Sequence, residues 1–145
     1  ILPAANKNTE PKTMKEDILP DYRKKQLLLY EEKRTTGELI VYGDRFLEAG
    51  KISDAIEFYQ KASHTAGLEK ISATAQQMGD VMLFLQTAKA LSRTPAPAEW
   101  LAIGQAAKAL KKYSFALLAF EKGGQEQLLQ ETREIAKTEG DAIVA

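Results

Sequence analysis

Apolar residues recur every three or four positions along most of this chain, from about residue 37 onward. That period is typical of helices with one buried face, whereas the strict alternation that indicates strands is almost absent. Alanine, leucine, glutamate, lysine and glutamine dominate the same region, and all are good helix formers. The pattern therefore predicts an all-α fold.

Turn residues separate two helices early in this region. Gly50 is expected to end the first helix and Ser53 to cap the second. The apolar face of the first helix is formed by Leu39, Tyr42, Gly43 and Phe46. The apolar face of the second is formed by Ala55, Phe58, Tyr59 and Ala62. Together they predict an antiparallel helical hairpin with a short loop.

A second copy of this unit is found in "EWLAIGQAAKALKKYSFALLAFEKGG", where Gly104 aligns with Gly43. Other identical pairs at this offset are Lys51 with Lys112, Ser53 with Ser114, Ala55 with Ala116 and Lys61 with Lys122. The unit resembles the tetratricopeptide repeat, whose pattern is Trp, two residues, Leu-Gly, two residues, Tyr, then Ala, three residues, Phe. The resemblance covers two hairpins, about 36–67 and 97–126. It implies antiparallel helical hairpins stacked as a short right-handed superhelix.

The first hairpin matches the pattern with Leu39 at the tryptophan position, followed by Tyr42, Gly43, Phe46, Ala55, Tyr59 and Ala62. The second has Trp100, Ile103, Gly104, Ala116 and Phe120 in register. It departs from the pattern at Ala107, which replaces the tyrosine, and at Gly123, which replaces the last alanine. Glycine and alanine are expected where two helices approach most closely, beside a large residue that fills the adjacent groove.

The irregular segment 68–94 admits two interpretations, because the offset from Gly43 to Gly104 is too long for one repeat of about 34 residues and too short for two. One is a degenerate middle repeat, with Ala75, Met78, Gly79 and Met82 at the spacing of a first helix and a curtailed second helix before Pro95. The other is one uninterrupted helix of about 24 residues, about 36 Å long. In a regular stack all first helices run parallel, and we take this to require an even number of helices between Tyr42 and Trp100. The single helix gives that even number, so we favour it.

The two ends of the chain differ from this central region. Residues 1–20 contain Pro3, Pro11 and Pro20 and predict an extended arm before a helical domain at 21–145. Asp21 is expected to cap a helix whose packing residues are Leu27, Leu28 and Tyr30. At the other end, 124–143 is expected to form a capping helix with Leu128, Leu129, Ile135 and Ala136 facing inward. Since residue 1 is Ile, we take the chain to be a fragment or a processed form, and its localisation stays open.

Composition argues against several classes of function. Twenty Lys and Arg balance twenty Asp and Glu, and the short basic clusters lack interleaved aromatics, so we expect no nucleic-acid partner. The longest apolar run is "FALLAF", residues 115–120, whereas a membrane span needs about 20 residues. With no cysteine and only His64, neither a metal site nor a catalytic triad is expected, and we predict no enzyme activity and no cofactor. Trp100 is expected to pack in the core.

The resemblance to tetratricopeptide repeats implies a protein-binding module that holds a peptide or helix of a partner against the first helix of each repeat. The matching positions here are Ile40, Asp44, Leu47, Glu48, Leu101, Gln105 and Lys108. Repeats that bind acidic chaperone tails carry a lysine and an asparagine where this chain has Ile40 and Asp44, so we expect no such binding. Asp44 and Glu48, one turn apart, are expected to be solvated. The alternative is a structural subunit that assembles with itself or belongs to a larger scaffold.

Overall fold

Residues 19–31 and 33–141 are described by a computed structural model, and every regular element among them is a helix. This confirms the predicted all-α class. The described residues form eight α-helices: α1 Tyr22–Gln26, α2 Thr36–Glu48, α3 Ile52–Lys61, α4 Thr65–Met78, α5 Val81–Ala90, α6 Pro97–Ala109, α7 Tyr113–Lys122 and α8 Glu126–Glu139. Most of the predicted arm, residues 1–18, lies outside the described residues. Contacts divide the chain into a first unit, Ile1–Thr65, and a second unit, Ala66–Ala145.

In the first unit, α1 is short and continues as a π-helical turn, Leu27–Glu31. Asp21 caps α1 as predicted, and its carboxylate accepts a hydrogen bond from the Lys24 N–H at 2.8 Å. Of the three predicted packing residues, Leu28 is buried and Leu27 is half-buried, but Tyr30 is 62% exposed. Leu29, which was not predicted to pack, is buried instead, with 1% of its surface exposed. A π turn holds more residues than an α turn, so the positions that face the core shift away from the 3.6-residue period.

The hairpin of α2 and α3 forms the rest of the first unit. Thr35 and Glu38 begin α2 with a capping box, in which each side chain accepts a hydrogen bond from the backbone N–H of the other residue. The predicted apolar side of α3 is confirmed, since all of its residues are buried: Ala55, Phe58, Tyr59 and Ala62. Ser53 is not the N-cap, because α3 already begins at Ile52 and Lys51 is its N-cap residue.

In the second unit, the chain breaks between α4 and α5, so the single long helix that we favoured is wrong. Gly79 ends α4 in a left-handed conformation with φ of +65°, which glycine adopts at little cost. A Cβ on Gly79 would lie 2.5 Å from the Ala107 Cα, so only glycine fits there. Asp80 then starts α5, because its carboxylate accepts a hydrogen bond from the Leu83 N–H at 3.1 Å.

The break yields three helix pairs with a similar spacing. The first helices start at residues 36, 65 and 97, and the second helices, α3, α5 and α7, each have ten residues. The offset between Gly43 and Gly104 is therefore made of two steps, each somewhat shorter than a standard repeat, which accounts for a length that suited neither one repeat nor two. Three helices, α3, α4 and α5, follow α2 along the chain before α6 begins. The even number of helices that we took to be required there was therefore wrong.

The middle pair uses a different register from the one predicted. Leu39, Leu68 and Trp100 hold the same position in their helices, and all three are buried. Ser72 therefore stands where the other pairs have Gly43 and Gly104, and Gly79 is the turn rather than the repeat glycine. Met78 and Met82 do not pack as expected, since they are 48% and 57% exposed.

Helix α7 is the common partner of three helices in the second unit. It packs against α6 and α8, and it also contacts α5. Two buried clusters form the core: one contains Ala75, Val81, Phe84, Trp100, Ile103 and Ala119, the other Ala107, Ala116, Phe120 and Leu129. In α8, Leu129 is buried as predicted, but Leu128, Ile135 and Ala136 are only half-buried, and the fully buried residue is Thr132. Residues 142 and 143 of the expected capping helix lie outside the described residues.

Candidate partner-binding surface

The predicted residues of α2 lie on a face that the hairpin leaves accessible. Ile40 and Leu47 are half-buried, whereas Asp44 and Glu48 are exposed. This exposure follows from the helix period, because Leu39, Gly43 and Phe46 face α3 and the intervening positions turn outward. We call these four residues, Ile40, Asp44, Leu47 and Glu48, the α2 face.

Asp44 is not merely solvated, as we had expected. Its Oδ1 accepts a hydrogen bond from the Tyr59 hydroxyl of α3 at 2.6 Å. Burial raises the pKa of Tyr59, and the hydrogen bond to Asp44 and the charges of Asp44 and Glu48 raise it further. The α2 face is thus tied to the packed interior of the hairpin, and it carries two carboxylates and two aliphatic side chains.

The predicted residues of α6 form a face of the second unit. Leu101 and Lys108 are half-buried and Gln105 is exposed. The side chains of Gln105 and Lys108 make no hydrogen bond or ion pair with the part of the chain that the structure describes. These three residues, which we call the α6 face, therefore offer an aliphatic contact, an amide and an ammonium group to another molecule.

Sequence reasoning missed the equivalent positions of α4, because it placed that helix in the wrong register. Counting from Leu68 instead of Gly79, the positions that correspond to Ile40, Asp44 and Leu47 are Glu69, Ala73 and Gln76. Glu69 and Ala73 are exposed and Gln76 is half-buried. The signal that identifies them is the pairing of Leu39 with Leu68, at the same offset as the helix starts Thr36 and Thr65.

Trp100 lies in the core as predicted. It is 6% exposed, and its ring meets Phe84 edge to face, with 5.3 Å between the ring centroids. Phe84, which sequence reasoning did not single out, holds the position of Ala55 and Ala116 in the other two pairs. His64 is half-buried in the turn between α3 and α4, and its ring packs against Tyr59 at 5.1 Å.

The basic cluster in α1 contains an unexpected structural contact. Lys25 is 9% exposed, and its ammonium group binds Asp54 at 2.7 Å and Glu57 at 2.5 Å, both on α3. Burial alone would lower the pKa of Lys25, but the hydrogen bonds to Asp54 and Glu57 and the charges of both carboxylates outweigh it, so this pKa is raised. One of three consecutive basic residues is therefore part of the fold.

Within the described residues, no three His, Asp or Glu side chains lie close enough to hold a metal ion. None of the helices there combines the length and the apolar character that crossing a membrane requires. Comparison with protein-family models, curated proteins and solved structures gave no match for this chain.

Proposed function

We propose that this chain is a tetratricopeptide-like helical-repeat module that binds a peptide or helix of another protein. The observation that carries the proposal is the common register of the three helix pairs. Leu39, Leu68 and Trp100 are buried at one position of the first helices, and all three second helices are ten residues long. Helical repeats of this kind use the exposed sides of their helices to bind extended partners.

The packing of small against large residues also supports the family resemblance. Gly43 lies against the ring of Tyr59, and Gly104 lies against the ring of Phe120, at equivalent positions of the two outer pairs. The middle pair has Ser72 and Ala88 at these positions. The right-handed superhelical stacking of the pairs stays a prediction.

The chemistry of the two faces defines the partner we expect. The α2 face combines Ile40 and Leu47 with the carboxylates of Asp44 and Glu48, and the α6 face centres on Leu101. An acidic tail would meet like charge at α2 and would find no lysine and asparagine clamp there. We therefore propose an apolar or weakly basic segment as the partner.

Selection from a displayed library of random peptides tests this proposal although the partner is unidentified. Peptides enriched on the immobilised protein should be apolar or weakly basic, and Ile40→Glu with Leu101→Glu should abolish their binding. The matched control is Gln60→Glu with Glu121→Gln, which changes exposed positions of the second helices α3 and α7. The proposal fails if the control pair abolishes binding and the face pair does not.

A second candidate, a subunit that assembles with itself, is favoured by one observation. Met78, Met82 and Leu110 are each about half exposed, and a contiguous apolar patch formed by them would suit a contact between chains. Light scattering over a range of concentrations separates the two candidates. A monomer at all concentrations supports the partner-binding module, whereas a stable dimer that Met82→Lys dissociates supports self-assembly.

A further inference from the structure

A groove of about 530 Å³ lies along one side of α2, next to the α2 face. Its accessible apolar wall is Val41, which is 46% exposed although it is a branched aliphatic residue. A volume of several hundred Å³ is in the range of sites that bind ligands. The groove is lined by residues of α2 and by its N-cap: Thr35, Gly37, Glu38, Val41, Tyr42 and Arg45. None of them belongs to the α2 face, so the groove adds to the surface that we assigned to the partner.

Gly37 keeps this groove open. It is the second residue of α2, and the second residues of α4 and α6 are Ala66 and Ala98. Glycine is less favourable than alanine within a helix, yet a Cβ added to Gly37 would have nothing within 4 Å, and its φ is not positive. Neither the backbone nor the packing of the fold therefore requires glycine here. The missing side chain leaves space for a side chain of another molecule.

The other wall of the groove is held in place by contacts within the hairpin. The Tyr42 ring stacks on Phe58 with 5.7 Å between the ring centroids, and the Arg45 guanidinium lies over the Tyr42 ring, 5.6 Å from its centroid. Glu38 accepts a hydrogen bond from the Thr35 N–H at 2.9 Å. The two charged groups of the lining, Glu38 and Arg45, carry opposite charges, so the groove itself is neutral and suits an apolar side chain.

A fixed carboxylate lies beside the groove. Val41 and Asp44 are three residues apart on α2, which places their Cβ atoms about 5 to 6 Å from each other. The Tyr59 hydroxyl holds Oδ1 of Asp44, whereas Oδ2 accepts no hydrogen bond from the residues that the structure describes. Arg45 follows Asp44 directly, but neighbouring residues on a helix do not face each other. A molecule with an apolar group in the groove can therefore place a cation at Asp44.

We propose that the partner is an extended segment with a leucine in this groove and an arginine at Asp44, two residues away. Side chains two residues apart in an extended chain point to the same side, about 7 Å from each other, which suits the spacing of Val41 and Asp44. An arginine can give a charge-assisted hydrogen bond to Oδ2. This inference rests on the proposed function, because it specifies the partner of the α2 face.

Three pools of displayed peptides with random flanking residues test the inference on the immobilised full chain. The first fixes Leu-x-Arg, the second Ser-x-Arg and the third Leu-x-Glu, each in both orders. The first pool should be enriched about tenfold or more over the other two, because only its peptides fill the groove and pair with Asp44. In NMR titrations, its strongest binder should shift the amides of Gly37, Val41 and Asp44.

Variants that change the groove without removing a core contact complete the test. Gly37→Leu and Val41→Ser should each weaken that binder about tenfold or more, because one fills the groove and the other removes its apolar wall. Urea denaturation should show no loss of stability in Gly37→Leu, since the added side chain meets open space. The matched control is Gln60→Leu, which adds the same side chain at an exposed position of α3 and should leave binding unchanged.

The outcomes distinguish this inference from the proposed function. Equal enrichment of the three pools, or binding that both groove variants leave unchanged, overturns the inference. If the enriched peptides then still shift the amides of Ile40 and Leu101, the proposed function holds without it. Failure of every pool to give a binder overturns both.

Discussion

The ring of Tyr59 occupies the space in which a side chain at Gly43 would lie. A Cβ built on Gly43 would be 2.6 Å from Cε1 of Tyr59, closer than real Cβ atoms approach another heavy atom. Phe120 stands in the same relationship to Gly104, with 2.5 Å between its Cε1 and the added Cβ. In both hairpins the second helix thus approaches the backbone of the first through an aromatic ring.

This relationship predicts the effect of adding a methyl group. Gly43→Ala and Gly104→Ala should each destabilise the fold by about 1 to 3 kcal/mol, because overpacking outweighs the better helix propensity of alanine. Gly37→Ala is the control, since Gly37 lies in α2 with nothing within 4 Å of the added Cβ, and it should be neutral or stabilising by up to about 1 kcal/mol. Urea denaturation of the three variants measures the difference. Equal changes at Gly37 and Gly43 would contradict the close packing.

The hydrogen bond from Tyr59 to Asp44 predicts a second effect. Tyr59→Phe should cost about 0.5 to 1.5 kcal/mol near neutral pH, because the ring stays and only the hydroxyl contact is lost. Asp44→Asn is the companion variant: it keeps an acceptor but removes the charge, and should cost less than Tyr59→Phe. Thermal denaturation ranks the two, and the reverse order would contradict a role for the hydrogen bond itself.

The same tyrosine predicts a dependence on alkaline pH. The pKa of Tyr59 is raised in the folded chain, whereas an unfolded tyrosine ionises near pH 10. Its contribution to stability is therefore complete below about pH 10 and is lost as the pH rises, since the unfolded chain releases the proton first. The pKa of Tyr113 is also raised, first by burial and then by its hydrogen bond to Glu139 and the charges of Glu139 and Asp141. Tyr59→Phe should therefore reduce the alkaline loss of stability without removing it, because Tyr113 still contributes. Urea denaturation at a series of pH values measures both losses, and an unchanged alkaline loss in Tyr59→Phe would contradict this account.

The ion pairs of Lys25 predict different outcomes for neighbouring basic residues. Lys25→Ala should destabilise the fold by about 1 to 3 kcal/mol, because it leaves Asp54 and Glu57, both partly buried, without their cation. Arg23→Ala, two residues earlier and exposed, should change stability by less than about 0.5 kcal/mol. Chemical denaturation compares the two, and equal effects would show that α1 is held by Leu28 and Leu29 alone.

The contact between Trp100 and Phe84 predicts a large and coupled loss. Trp100→Ala should destabilise by about 3 to 5 kcal/mol, since it leaves a cavity in the main cluster of the second unit. In a double-mutant cycle with Phe84→Ala, the coupling free energy should be about 0.5 to 1.5 kcal/mol for an edge-to-face pair. A loss below about 1 kcal/mol for Trp100→Ala would contradict the packing of that side chain in the core.

The all-α class and the apolar faces of the first and third helix pairs could be predicted from the sequence, because Leu39, Phe58 and Trp100 follow the helical period closely. Several turns could not, because Ser63, Ser92 and Lys111 adopt positive φ without glycine. The one conspicuous glycine of the middle segment, Gly79, was assigned to packing although it forms the turn. The register of the middle pair could not be predicted either. Ser72 and Ala88 stand there at the positions where the other two pairs have a glycine and an aromatic residue.

The candidate site was less predictable than the fold. Helical period alone indicates that Ile40 and Leu101 turn away from the packed face, and their partial exposure agrees with this. It does not reveal that Asp44 bonds Tyr59, or that Lys25 bonds Asp54 and Glu57, because these contacts depend on how helices cross. Local period fixes which side a residue faces, whereas tertiary packing decides which polar atoms meet.

Mapping a bound peptide by NMR tests the central claim, that partners bind the exposed sides of the first helices. A peptide selected on the immobilised protein should shift the amides of Ile40–Glu48 in α2 and Leu101–Lys108 in α6, and an acidic chaperone-tail peptide should shift neither set at millimolar concentration. Shifts confined to the exposed side of α3 and α7, around Gln60 and Glu121, would contradict the claim. So would tight binding of the acidic peptide that Lys108→Ala abolishes.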